Sequence, residues 1–361
     1  MTIPHSHSHG RAYAEHVTDW LRRRLGRTVA LAYLAAVLLP GPGQWLRHAH
    51  TPAGTELPLQ TASLLLSLVL FSAGLQVPVR ALGQLLRRPR ALLAGLVLHL
   101  AAPLLIIPLV AYLLRHSPDT DGGSGLVTAM ILIVAMPVAA GATVWTGKGH
   151  GDQPTMVGLV LASTLISPLT IPVTVGALAP LLSGGYADVL GTVGRAINNG
   201  FAFTGVVLPC AAGLACRLAL PTRLLEGALR WVVPVALTGS VVLTYVNASG
   251  ALGAFLARPR PLLLIAAPVV AAVVCALSFA VGRLAARVLR LDAPAASSLT
   301  LACGMNNSSA GAVLITTTLP DKPHLLLPVL AYGLLQKTAA NRVVRMARPQ
   351  RPPAPPCPAS S

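Results

Sequence analysis

The sequence predicts an all-α polytopic membrane protein of ten transmembrane helices arranged as two inverted five-helix repeats. Three observations lead there. The 361 residues are 54% hydrophobic and only 10% charged, whereas a soluble domain carries about 25% charged residues and needs them to cover a water-facing surface. The apolar residues gather in ten segments, near 28–45, 59–77, 91–114, 124–146, 154–182, 199–219, 228–247, 261–282, 295–319 and 325–344. Most approach the roughly 20 residues that cross a bilayer. Finally, the fourth and ninth segments are both interrupted, and they hold the same place in each half of a five-plus-five division.

The basic residues orient these segments. Lys337 lies inside the last one, and the other 26 Lys and Arg divide 20 to 6 between alternate sides. The rich side holds the N-terminal flank (Arg11, Arg22, Arg23, Arg24, Arg27), the even-numbered loops, including Lys148 alone in the fourth, and the C-terminal flank. This is the positive-inside bias. It places both termini in the cytoplasm and requires an even number of spans. The formal net charge of +17 is therefore read as topology, and a nucleic-acid partner is not expected.

The N-terminal stretch 1–27, with alternating His5, His7 and His9, reads as a cytoplasmic tail. The first repeat follows over 28–182 and the second over 183–345. The end, 346–361, is rich in proline and reads as a disordered cytoplasmic tail. The five cysteines are scattered and lack metal-ligand spacing, so neither a disulfide framework nor a metal site is expected. All ten carboxylates lie outside the apolar segments, so the acidic relay of many pumps has no residues here. No Gly-x-Ser-x-Gly, His-Glu-x-x-His or phosphate-loop pattern appears, and the chain is read as a non-enzyme with no catalytic residue.

Two segments carry the chemistry. The fourth runs through Met136-Pro137-Val138 to Gly141-Ala142-Thr143 and Trp145. Proline removes a backbone donor, and the small residues let backbones approach. The ninth contains Cys303-Gly304-Met305-Asn306-Asn307-Ser308-Ser309, four consecutive polar side chains that should face a partner helix or a watery cavity. An odd number of spans per half inverts the second half. Interrupted helices at matching places in inverted repeats point to the binding site of a transporter. Pro137, Gly141 and Gly304 are the expected hinges. Trp145 reads as an interfacial anchor.

At these residues the sequence resembles the bile acid:sodium symporter family and its bacterial relatives. Cys303-Gly304-Met305-Asn306-Asn307-Ser308 looks like the family's Thr-Gly-Met-Gln-Asn-Ser stretch. Phe71-Ser-Ala-Gly74-Leu75 with the following Arg-rich loop, Ser163-Thr164 through Pro168-Leu169, and Pro137 to Asp152 also match in order. The resemblance covers roughly 28–345. It implies a panel domain and a core domain, with broken helices 4 and 9 crossing in the core. It further implies sodium-driven, alternating-access transport of an organic anion, a carboxylate or a bile-acid-like steroid, across the bacterial inner membrane, by a monomer or weak oligomer.

The departures concern sodium. The glutamate that the family shares between two sodium sites is Ala302 here, its Ser-Asn pair is Ala142-Thr143, and its hydroxyl ligands in the fifth helix fall on Met156 and Val160. Thr143, Asn306 and backbone groups of Cys303 and Met305 remain as degenerate sodium ligands. Coupling to Na+ is thus expected to be weakened or lost, and no other cofactor is implied. Lys337, beside Gln336 where relatives keep a His-Asn pair, brings a fixed positive charge that replaces that of the coupling ions, or reaches toward the cytoplasmic surface. His99 lies near a sodium-binding glutamine of relatives. Asn306, Asn307, Ser308, Gln336, Lys337 and His99 make up the expected substrate site. Two alternatives share the fold: a binding protein that senses and transports nothing, and an arsenite-efflux-like permease, whose cysteine is Val138 here.

Overall fold

A computed structural model describes residues 6–48, 61–79, 83, 89–116, 123–183, 185–257 and 261–347. These are helical, with no strand among them beyond one isolated antiparallel bridge. The order is α1 (Ser6–Leu38), α2 (Pro40–His48), α3 (Thr61–Leu75), α4 (Pro89–Leu114), α5 (Ser124–Val134), α6 (Ala142–Lys148), α7 (Gln153–Leu165) and α8 (Ser167–Leu178). Then follow α9 (Tyr186–Ala196), a π-helical stretch over Ile197–Val207, α10 (Leu208–Ala219), α11 (Thr222–Ala257), α12 (Pro261–Val288), α13 (Ala293–Gly304), α14 (Ser308–Thr318) and α15 (Leu326–Ala347).

Each apolar segment thus holds a helix or a broken helix. By length and composition, four of the described helices can cross a membrane alone: Pro89–Leu114, Gly200–Ala219, Thr222–Leu252 and Pro261–Val288. Two bent pairs raise the number to six. One joins Arg23–Leu38 to Pro40–Arg47 at 97°, and the other joins Gln153–Leu165 to Ser167–Leu181 at 72°. Both bends fall at or just before a proline, Pro40 and Pro168, which cannot donate to the preceding turn.

Residues 6–27, within the stretch read as an N-terminal tail, are helical and run on into the first apolar segment as α1. Residues 11–27 contain no proline and many Ala, Leu and Arg, all good helix formers, so the helix extends back to Ser6. His5 and the proline-rich end beyond Ala347 lie outside the described residues, as do Arg80, Arg87 and Arg88 of the second loop.

Two groups of helices position the site. α1, α2 and α3 pack along α11, and α3 also packs along α10. The α3–α10 contact is backbone to backbone. A Cβ on Gly74 would run into the Cys210 carbonyl, and one on Gly213 into the Phe71 carbonyl. The second group surrounds α12, which packs on α13, α15 and α4.

Near the centre lie the two interrupted segments. Every residue of α5 is buried, as is Ala310 through Thr316 of α14. A helix apolar on all faces belongs inside a protein rather than at its edge. That placement matters for the breaks, because non-helical backbone at membrane depth is tolerated only where protein or a water-filled cavity covers it.

Candidate functional site

The two breaks meet. Met136 and Pro137 end the α5 turn, and proline leaves no N–H to extend the helix. Met305 to Asn307, without a proline, separate α13 from α14. The Ala139 N–H donates to the Met305 carbonyl at 2.8 Å, and the Asn307 N–H donates to the Pro137 carbonyl at 2.9 Å. Val138 and Asn306 face each other as an antiparallel bridge. The Val138 N–H reaches a side chain instead, the Ser163 hydroxyl of α7, at 3.1 Å. Two backbone hydrogen bonds thus pass between the interruptions, supplying partners that lipid could not.

Side chains lock this pairing. The Asn306 amide donates to the Tyr332 hydroxyl at 3.1 Å, and that hydroxyl donates to the Gly304 carbonyl at 3.2 Å. Asn307 is the N-cap of α14: its side-chain oxygen accepts from the Ala310 N–H at 3.1 Å. The Gln336 amide donates to the Ser308 hydroxyl at 3.3 Å, while its own carbonyl oxygen is buried without a hydrogen bond. Gly304 abuts the Phe279 ring so closely that a Cβ would collide with it.

Two spaces flank the crossing. On one side His99, Ser278, Cys303 and Asn306 line a pocket of about 10 Å³, the size of a single water. On the other, a crevice of about 660 Å³ opens between α3 and α11 on one wall and α6 and α7 on the other. Its polar lining is Ser72, Gln76, Thr143, Lys148, Gln153 and Ser240. Gln76 donates to the Ser72 carbonyl and hydroxyl, both at 3.0 Å, and Gln153 donates to the Thr143 carbonyl at 3.0 Å. The Lys148 ammonium lies 4.8 Å from the centre of the Trp145 ring.

The residues singled out in the sequence therefore divide among several places. Asn306, Cys303 and His99 share the small pocket. Thr143 and Gly141 line the crevice, with the Thr143 hydroxyl bonded to the Ala140 carbonyl at 2.8 Å. Asn307 caps α14, Ser308 and Gln336 join α14 to α15, and all three line neither space. Lys337 is half-buried on α15 and also lines neither. Of the positions that depart from the family's sodium ligands, Met156 and Ala302 are buried and Val160 lines the crevice.

Trp145 corrects its sequence reading. It is buried at 7% exposure rather than an anchor at the membrane surface. The reason is the shortness of α6, whose one and a half to two turns are held against α7, α13 and α15. Sequence reasoning also missed Ser278, Tyr332, Gln76 and Gln153. Each sits in an otherwise ordinary helix, and only its contact marks it. Lys148 was visible, but as a loop charge that reports topology.

Broken helices that pair with each other beside a crevice, in a chain this apolar, define a membrane transporter. Residues 63–258 match the sequence pattern of the sodium bile acid symporter family, and the chain belongs to that family. The match spans the first break and the helices lining the crevice, and it ends before the second break. A similar curated protein is an uncharacterized sodium-dependent transporter, YocS, of Bacillus subtilis (strain 168). It is 24% identical over 265 residues, covering 70% of this chain and 73% of that protein.

Proposed function

We propose that the chain is a secondary transporter of an organic anion that works by alternating access, with sodium coupling weakened or lost. The observation that carries this reading is the mutual pairing of the two breaks at Val138 and Asn306. Paired breaks leave half-helix ends beside a cavity, the arrangement in which transporters hold a charged substrate and its coupling ions. Ten spans in inverted repeats over 28–182 and 183–345, with both termini in the cytoplasm of a bacterium, complete the reading. The 20-to-6 division of basic residues supports the orientation.

Sodium is the open half of the mechanism. The family's description and the name of the Bacillus relative favour Na+. The small pocket offers a thinner set of ligands: the Asn306 side chain, the Ser278 hydroxyl, the His99 ring and the Cys303 thiol, with no carboxylate among its described lining residues. Lys337 supplies in this reading the fixed positive charge that replaces that of the ions.

One experiment needs no substrate. The purified protein is melted in sodium, potassium and choline at matched ionic strength. A ligand that binds only the folded state adds RT ln(1 + [L]/Kd), about 2.7 kcal/mol at a hundredfold excess over Kd. Weakened coupling predicts a small sodium-specific rise that vanishes in Asn306→Ala, and lost coupling predicts none. A large rise that survives Asn306→Ala places sodium elsewhere and overturns the degenerate-site reading. Anion flux into proteoliposomes then separates a transporter from a sensor of the same fold.

A further inference from the structure

One face of α1 changes character along its length. Trp20, Arg24, Arg27, Leu31, Leu34 and Leu38 recur at intervals of three and four residues, which stacks them on a single side of the helix. All are exposed. Those at the N-terminal end are aromatic or basic, and the rest are apolar. We propose that this face, with the basic end of α11 beside it, binds an anionic phospholipid. Arg24, Arg27 and Arg230 hold the phosphate, and the acyl chains lie along the leucines.

α11 supplies the second side of the site. It packs along α1, and two contacts fix how the helices align. The Tyr245 hydroxyl donates to the Leu39 carbonyl at 2.6 Å, and Leu25 and Val233 line the same crevice. The helices therefore run parallel. Arg24 and Arg230 each lie fifteen residues before the bonded pair, roughly 22 Å along the helix, and so stand at the same depth. Arg223 is about two turns further toward the N-terminal end of α11. Trp231 follows Arg230 and is 57% exposed. Trp20 and Trp231 thus mark the basic end of both helices, as amphipathic rings do between headgroups and hydrocarbon.

These charges lack partners inside the protein. Among the described residues no carboxylate pairs with Arg23, Arg24, Arg27, Arg223 or Arg230, although Asp19 and Glu226 lie on the same helices. Arg24 lies over the Trp20 ring instead, 5.6 Å from its centre, a contact that leaves its N–H groups free for an anion. A cluster of basic residues next to a span attracts anionic headgroups, at about fivefold in affinity for each residue. A guanidinium also matches a phosphate with two parallel hydrogen bonds. The leucines decide between a lipid and a soluble phosphate, because only a lipid can cover them.

The test follows the melting temperature of the full chain in an uncharged detergent as phosphatidylglycerol, phosphatidylcholine or soluble glycerol 3-phosphate is added. Phosphatidylglycerol is expected to stabilise the wild type at concentrations about tenfold below those of phosphatidylcholine, and glycerol 3-phosphate to have no effect. Arg24→Gln, Arg27→Gln and Arg230→Gln together should weaken the phosphatidylglycerol response by about tenfold or more. Lysine at the same three positions keeps the charge and should retain the response. Arg24→Gln alone, at an exposed position, should lose about threefold and carries the test if the triple variant does not fold. The control removes the same charge from α12, through Arg283→Gln, Arg287→Gln and Arg290→Gln, and should respond like the wild type. An equal loss in the control means diffuse attraction and overturns the site. Equal responses to the two lipids overturn the role of the arginines, and a matching response to glycerol 3-phosphate overturns the role of the leucines and with it the lipid.

Discussion

Asn306 and Tyr332 close the crossing from opposite sides: the amide of Asn306 donates to the Tyr332 hydroxyl, and that hydroxyl donates onward to the carbonyl of Gly304. Tyr332 is fully buried and Asn306 nearly so. The Asn306 nitrogen is thereby committed, and the residue also lines the pocket it shares with His99, Ser278 and Cys303. Tyr332→Phe keeps the ring and deletes the bridge, leaving a buried donor and a buried carbonyl short of a partner. We expect a loss of about 1–3 kcal/mol, seen as a lower melting temperature, and a larger fall in transport than in folded protein. Transport unchanged in the folded fraction would show that Asn306 needs no orientation.

Ser163 serves the first break as Tyr332 serves the second. Its hydroxyl accepts from the Val138 N–H and donates to the Val160 carbonyl at 3.2 Å. Side-chain hydrogen bonds inside membrane proteins average only about 0.6 kcal/mol. Here, however, the alternative is a stranded backbone N–H, so Ser163→Ala should cost about 1–2 kcal/mol. Ser163→Thr, which keeps the hydroxyl, should cost less in the same melt.

The α3–α10 contact has no room for a side chain at Gly74 or Gly213. The obstacle at each is a backbone carbonyl, which cannot swing aside as a side-chain tip can. Gly213→Val should therefore separate the two helices and destabilise the protein by about 3 kcal/mol or more, at or beyond the upper end of ordinary overpacking. Thermal melts and the yield of folded protein in detergent check this. Gly227, which has open space around it, is the control, and its Ala variant should melt like the wild type.

Lys337 lines neither space, so its influence on a substrate would be electrostatic rather than by contact. Lys337→Gln should weaken cholate binding about tenfold, or ~1.4 kcal/mol, with the melting temperature of the unliganded protein unchanged or raised, since a half-buried charge is removed. Equal affinity in the variant and wild type would mean that Lys337 reaches to the membrane surface and takes no part in binding.

Much of this site was legible in the chain. Pro137 cannot continue a helix, and four polar side chains from Asn306 to Ser309 cannot face lipid, so both breaks could be located from residue chemistry alone. Their partners could not. Nothing local says that the Val138 N–H finds Ser163 or that Asn306 finds Tyr332, because these contacts join residues 25 and 26 positions apart through the packing of separate helices. Trp145 was misplaced for the same reason. An aromatic residue at the end of an apolar run resembles an interfacial anchor until its short helix is seen packed among others.

What the sequence by itself determined is the solvent and the places where the helices break. With 10% charged residues and its basic residues gathered on alternate loops, this chain belongs in a bilayer, and the positions of proline and of the clustered polar residues set where its helices stop. Tertiary structure decided what those stops are for. It brought Val138 against Asn306, divided the expected site residues between a water-sized pocket and the crevice, and turned Lys148 from a loop charge into part of a cavity wall. Composition and helix breaks follow from the free energy of moving single residues into lipid or out of a helix. The partner of a polar group is set only when helices distant in sequence pack together.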